Sequence, residues 1–326
     1  MSILNEYADH FVPSYTNFPR GNYISLFILR RIESEAIFRT EGSGEPLTKE
    51  FVHAGIAAND LEQRVVISKR KQTAVERRTG RELLRQHDLL GRTDAGPCAL
   101  NRNNPCEVCM DCMVYGYAAG GGGAQRSRVI TDDAFSLHPA PLITATRTFN
   151  APFDDGTPWD REAQQRMTGL GEDEYVKPEA VFLDIQSLKD ITVDEFRYVL
   201  GNVLRSTRYG AISSRIGKVK NTLVSIAFSD CELFSNLEWT QQTYDLLLQA
   251  QDDKTALDFP LLEDTVIAAA QEAAGTLQAR VVGRVRFLSH DELTHLVNET
   301  GELYGDHDAI RTVLKGATEM YPPASS

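Results

Sequence analysis

An α+β fold, built on a ferredoxin-like core with insertions, is what the sequence predicts, and three observations carry that expectation. Apolar, β-branched segments alternate with helical stretches in the order strand, helix, strands, helix, strands. A cysteine- and glycine-rich segment without periodicity cuts into that order after the first helix. A chain of 326 residues with 42% hydrophobic content has enough apolar material to bury such a core.

YISLFILRR, Tyr23 to Arg31, is rich in β-branched and aromatic residues and reads as a central strand, with a partner expected at Ala36 to Thr40 and a loop at EGSGEP. RVVIS from Arg64 reads as a second buried strand, followed by a helix from about Ala74 to Leu90. Gly80 weakens that helix by about 1 kcal/mol relative to alanine, so the segment before it is open to a loop start. RVITDDAFSL from Arg128 is strand-like, and a Pro-, Thr- and Asp-rich stretch then runs to about Lys177. VFLDI (Val181 to Ile185) is a strand and Asp194 to Leu204 a helix, with Thr192 and Glu195 spaced as a capping box. After a Gly-rich loop, TLVSIAFS is the next strand. Beyond Trp239 two helical segments flank a strand expected at Ala279 to Phe287.

The formal net charge is −12, which argues against indiscriminate coating of nucleic acid. The charge is uneven. Leu61 to Arg92 holds nine basic residues against four acids, whereas Cys231 to Ser326 holds six against sixteen. Lys69, Arg70, Lys71, Arg77, Arg78, Arg81 and Arg85 form one basic run in which Arg77, Arg78, Arg81 and Arg85 share one side of the helix. Planar guanidinium groups suit bidentate phosphate contacts, and only Glu76 and Glu82 are near enough in sequence to pair them; a plain solvated helix is the alternative. A second run, RYGAISSRIGKVKN, contains no acid. Its Arg208, Arg215, Lys218 and Lys220 supply charge, Ser213 and Ser214 short donors, Gly210 and Gly217 close backbone approach, and Tyr209 a stacking face. A ligand-free basic hairpin turn is the other reading. Two such segments beside core strands point to one shared phosphate-binding groove.

Cys98, Cys106, Cys109 and Cys112 follow a C-x7-C-x2-C-x2-C pattern, and with no secretion signal they read as metal ligands before disulfides. Four thiolates suit a closed, structural zinc site. An iron–sulfur cluster is the alternative, because CEVCMDC has the spacing of the start of a ferredoxin run, although the downstream cysteine and proline are absent. Cys231, beside Ile226 and Phe228, reads as a buried strand thiol.

The sequence has no GxxxxGK[ST] and no GxSxG, and its HDELTH differs from a zincin pair. Asp132 and Asp133, in TDDAF, are the candidates for metal-dependent strand cleavage, with surface acids as the alternative. No apolar run reaches the ~20 residues of a membrane helix, so the expected location is cytoplasmic, away from membranes.

KRKQTAVERRTGRELLR, CEVCMDCMVYGYAAGGGGAQRSRV, NAPFDDGT and RYGAISSRIGKVKN together resemble the large backbone subunit of type I-D CRISPR Cascade complexes. The resemblance implies the repeat-associated RNA-binding (RAMP) superfamily: an RRM-like palm with inserted zinc-binding, finger and thumb parts. It implies copies that polymerise head to tail along the CRISPR guide RNA (crRNA), holding it by its phosphates and flipping out nucleotides at regular intervals. The intervening bases then pair with target DNA beside other Cascade subunits, in antiviral defence. Related backbones cleave the target strand through a loop acid; a zinc-containing protein adaptor is the reading without nucleic acid. The implied division is residues 1–92, the first part of the core with its basic helix; 93–127, the zinc-binding module; 128–177, a strand plus the thumb or lid, its insert running from about Leu142; 178–238, the second part of the core with its basic loop; and 239–326, a mainly helical part.

Overall fold

The structure is a computed structural model and describes residues 2–39, 47–120, 122–150, 157, 159–160, 164–166, 170–211 and 216–323. Its centre is strand β1 (Tyr23–Ile32). After it come β2 (Lys49–His53), β3 (Leu61–Ile67), α1 (Lys69–Gln86), α2 (Met110–Tyr115), β4 (Val129–Thr131) and β5 (Ala134–Pro139). The chain continues through β6 (Thr144–Asn150), β7 (Leu170–Val176), β8 (Val181–Lys189), α3 (Val193–Arg205) and β9 (Gly217–Ser229). Four helices, α4 (Asn236–Ala250), α5 (Glu263–Gln278), α6 (His290–Gly305) and α7 (His307–Glu319), complete the chain.

The main sheet runs β9-β1-β8-β5-β3-β2, and β4 also pairs with β8. β1 is antiparallel to both β8 and β9. Taken with the intervening helices α1 and α3, this β9-β1-β8-β4/β5 order is the 4-1-3-2 arrangement of a ferredoxin-like core, widened by the added strands.

Side-chain alternation along β1 creates two cores. Ile24, Leu26 and Ile28 face Leu83 and Leu84 of α1 and Phe196, Val199 and Leu200 of α3. Phe27 and Leu29 face Trp239 of α4 and Val266, Ala270 and Ala273 of α5. The sheet is therefore sandwiched between helices, which explains why β1 and β8 read as nearly continuous apolar runs. The α3 capping box forms as its sequence predicts: Glu195 N–H donates to Thr192 Oγ1, and the Glu195 carboxylate accepts from Thr192 N–H.

Several expectations change. Helix α1 begins at Lys69 and runs through Gly80, because a Cβ there would meet Tyr198 Oη at 2.3 Å. The missing side chain lets α1 approach α3, which outweighs the helical cost of glycine. Ala36 and Ile37 form isolated bridges to Val176 and Ala211 instead of the expected strand, while Phe38 is buried beside them. Thr40 and EGSGEP lie outside the described residues. The Arg128 segment breaks at Asp132 and Asp133 into two strands, and the strand expected from Ala279 is only Val285–Phe287. Cys231 lies beyond the end of β9 and is half-buried. The cysteine segment is no detached insert either: Met110, Met113, Val114 and Tyr115 of α2 join the same core as Leu83 and Leu84. Among the described residues no helix is long and apolar enough to cross a membrane.

Candidate nucleic-acid interface and cysteine centre

Cys98, Cys106, Cys109 and Cys112 converge with their sulfurs within 4.8 Å of one another, and all four are buried. The Sγ atoms of Cys98 and Cys112 are 3.5 Å apart and those of Cys106 and Cys112 4.0 Å. Backbone N–H groups point at the sulfurs: Cys106 N donates to Cys98 Sγ at 3.4 Å and Cys109 N to Cys106 Sγ at 3.3 Å. Hydrogen bonds from the other three cysteines hold the Cys98 thiol well below its ordinary range, and Arg81 adds to the effect. This set could hold a metal ion.

The same geometry redirects two arginines of the expected phosphate-binding set. Arg77 donates to both carboxylate oxygens of buried Asp111, at 3.0 and 2.9 Å. Arg81 Nη1 donates to Asp111 Oδ2 at 2.8 Å and to Cys98 Sγ at 3.5 Å, and Arg81 Nη2 bonds the Cys98 carbonyl. Asp111 sits on α2 between Cys109 and Cys112, so the two guanidinium groups fasten α1 to the cysteine centre. They are corrected from phosphate ligands to internal braces, because a buried carboxylate already occupies their forks. Arg78 and Arg85, seven residues apart on one line of α1, are exposed, as are Lys69 and Arg70; Lys71 is half-buried.

Tyr209 is also turned inward. It is buried, its ring lies under Arg30 with the guanidinium carbon 5.1 Å from the centroid, and its hydroxyl accepts from Arg30 and Asn221. Burial pushes its pKa up to about 12. A base therefore cannot stack on it. Arg30 is fully buried, paired with Asp184 Oδ2 at 2.7 Å and Glu76 Oε1 at 2.8 Å. Burial raises the pKa of Glu76 despite the adjacent guanidinium. Gln186 donates to both Glu76 oxygens, and Asn236 donates to Asp184 Oδ1 at 3.0 Å. The network joins β1, β8, β9, α1 and α4 beneath the basic loop.

In the loop itself, Arg208 and Tyr209 pair with Lys218 and Gly217 across a short ladder. Gly210 has φ +95°, and a Cβ there would lie 2.5 Å from the Ile37 carbonyl; at Gly217 it would lie 2.4 Å from Ala36 Cβ. Both glycines serve packing against the Ala36–Ile37 bridge segment. Arg208, Lys218 and Lys220 point outward, with Lys218 3.1 Å from Glu33 and Lys220 2.8 Å from Glu263. Ser213, Ser214 and Arg215 lie outside the described residues. Arg208 also lines a cavity of about 450 Å³ with Arg147, Tyr175, Glu33, Glu35 and Asp173.

Asp133 accepts from the Lys69 N–H at 2.8 Å, at the start of α1, which is a capping role. Asp132 is exposed and lines a separate cavity with Glu232 and Glu238.

Sequence reasoning missed Arg30, Asp184 and Asp111 as organisers of these sites. One signal was present: an arginine inside the apolar run of β1 implies a buried counter-charge.

The whole fold resembles the crystal structure of Csc2 from Thermofilum pendens, with a TM-score of 0.61 at 18% identity over 98% of this chain and 96% of that one. A chain of a type IV-B CRISPR complex aligns over 62% of this chain and 90% of its own, at 16% identity and a TM-score of 0.41. No curated protein matches the sequence. The Csc2 CRISPR family model matches residues 10–314, nearly the full length, and the chain therefore belongs to the Csc2 family of CRISPR proteins.

Proposed function

We propose that the chain is a guide-RNA-binding backbone subunit of a type I-D CRISPR Cascade complex, held to the RNA by its phosphates and assembled with copies of itself and other Cascade subunits. The observation that carries this reading is the arm at the start of β9. Arg208, Lys218 and Lys220 stand outward on a short strand pair, while buried Tyr209 and Gly217 anchor the arm from behind. Backbone-directed cations without base-edge readers are what binding of any guide sequence needs. Arg78 and Arg85 extend the charge along α1, and the β6–β7 ladder, Thr144↔Val176 to Asn150↔Leu170, is the base of the proposed thumb.

The test is binding of the purified protein to a labelled single-stranded RNA of guide length at two salt concentrations, followed by nuclease footprinting. Tight, salt-sensitive binding with protections at a regular interval is expected; no binding at low salt overturns the reading.

The cysteine centre fits zinc. Four sulfurs about 2.3 Å from one ion lie ~3.8 Å apart, close to the separations found, whereas an iron–sulfur cluster spreads its cysteine sulfurs more widely. A zinc ion there would fasten the segment from Cys98 to Cys112 without an open position for chemistry. Elemental analysis is expected to find zinc in a colourless protein; visible absorbance with iron overturns this.

Target-strand cleavage is the second reading, favoured by Asp132 lining a cavity of about 260 Å³ with Glu232 and Glu238. Cleavage of paired target DNA with magnesium, lost in Asp132→Ala, supports it; intact target DNA refutes it. Asp133→Ala is the poorer probe, because it also uncaps α1.

A further inference from the structure

A second surface lies at the opposite end of β1 from the basic arm. β1 ends at Ile32 beside Val219 and begins at Tyr23 beside Lys189 and Ser229. At that beginning, the segment Thr16–Pro19 meets a glycine-rich hairpin (Tyr117–Ala119 with Gly122–Gln125), to which Tyr15 is tied by a 2.8 Å hydrogen bond from its hydroxyl to Gln125. Between them is a cavity of about 290 Å³ lined by Asn17, Phe18, Arg126, Ser127 and Lys189 among others.

Two features distinguish this place. Phe18 is 78% exposed among the described residues. Arg126 is exposed on the same cavity, exposed Arg20 follows two residues after Phe18, and neither guanidinium has an ion-pair partner among the described residues. Lys189 has its ammonium 5.0 Å from the Tyr23 ring centroid and no ion-pair partner among the described residues. The one acid in the cavity lining, Asp190, accepts backbone N–H bonds from Arg20 and Asn22. In a chain of net charge −12, cations without carboxylate partners among the described residues, beside an exposed aromatic ring, offer a surface matched to an anionic, stacking ligand.

We infer that the Phe18, Arg20, Arg126 and Lys189 surface binds single-stranded DNA, with a base stacked on Phe18 and phosphates on the three cations. Stacking plus charge is the usual combination for a strand held without sequence preference. The site commits to DNA because this inference rests on the function proposed above. There the arm at the far end of β1 holds the RNA, and the strand left to be held is DNA. The two ends are about 30 Å apart along ten residues of strand, too far to be one contact.

The test measures anisotropy of a labelled twelve-residue oligo(dT) and, separately, of a guide-length RNA, using the full chain. Phe18→Ala with Arg126→Glu is expected to weaken oligo(dT) binding about tenfold and to flatten its salt dependence, leaving RNA affinity within about twofold. Arg208→Glu with Lys218→Glu is expected to do the reverse. Oligo(dT) binding unchanged by the first pair overturns the inference. Equal displacement by oligo-glutamate, insensitive to Phe18→Ala, also overturns it in favour of an acidic protein partner. Loss of RNA binding in the parent protein defeats the proposed function instead, and the Phe18 dependence of oligo(dT) binding is read independently of it. All four substituted side chains are exposed, so circular dichroism of both pairs is expected to match the parent.

Discussion

The two basic runs look alike in sequence and meet opposite fates. In α1, Arg77 and Arg81 turn into the protein and grip Asp111. In the arm, Lys218 and Lys220 stand outward on alternate positions of β9, with Val219 between them buried. What separates them is the presence of a fully buried carboxylate across from one run and only exposed or partly exposed acids, Glu33 and Glu263, across from the other. Charge in a sequence therefore does not reveal whether it faces solvent; the location of the opposite charge does.

The contrast can be broken most severely at its buried side. Arg30→Ala leaves Glu76 and Asp184 without their shared cation and is expected to cost about 3–5 kcal/mol, read as the loss of a cooperative urea transition. Asp111→Ala leaves two guanidinium groups facing an emptied site, and a loss of about 2–4 kcal/mol is expected, with faster loss to a chelator of the metal proposed for the cysteine centre. If this variant instead kept its stability and weakened only RNA binding, the braces would be surface groups after all. Cys109→Ser is expected to lower the midpoint further than loosening of a free module would, because α2 shares the main core.

A smaller effect concerns pH. Burial lowers the pKa of His138, whose Nε2 lies 2.9 Å from the Asp258 carbonyl, and that of His87, where neighbouring His307 adds to the shift. Burial favours the neutral form of each in the fold, so its contribution is complete above the ordinary value of 6.5 and is lost as pH falls toward the lowered folded value. Thermal midpoints should fall between pH 7.5 and pH 5, and His138→Gln should flatten that slope. The smallest stability effect belongs to the outward run: Lys218→Ala should change stability by less than about 0.5 kcal/mol, while reducing the salt slope of RNA binding by about 0.7.

The central elements were legible because they depend on local pattern. β1, β8 and α3 are marked by apolar runs and a capping box that need no knowledge of neighbours. The cysteine centre was legible from spacing alone. The inward turn of Arg81 was not, since it depends on Asp111 thirty residues on, and the helical wheel placed Arg77 and Arg81 with the solvent-facing Arg78 and Arg85. Tyr209 was misread for the same reason: its partner Arg30 is 179 residues away. Gly80, treated as a weakness of α1, proved to be a place where α1 lies close against Tyr198 and Asn202 of α3.

The ten residues of β1 have a further consequence for how such a chain can diverge. They hold the arm and the Phe18 surface a set distance apart, and Arg30 must keep to the face of the sheet where Glu76 waits. Inserting or deleting one residue would invert every side chain beyond it unless a bulge absorbed the change, as the register shift against β9 at Phe27 and Ile28 does for one residue. Two-residue steps of roughly 7 Å keep Arg30 on its face without a bulge, so a change in the distance between the two ends carries either a whole step or a new bulge.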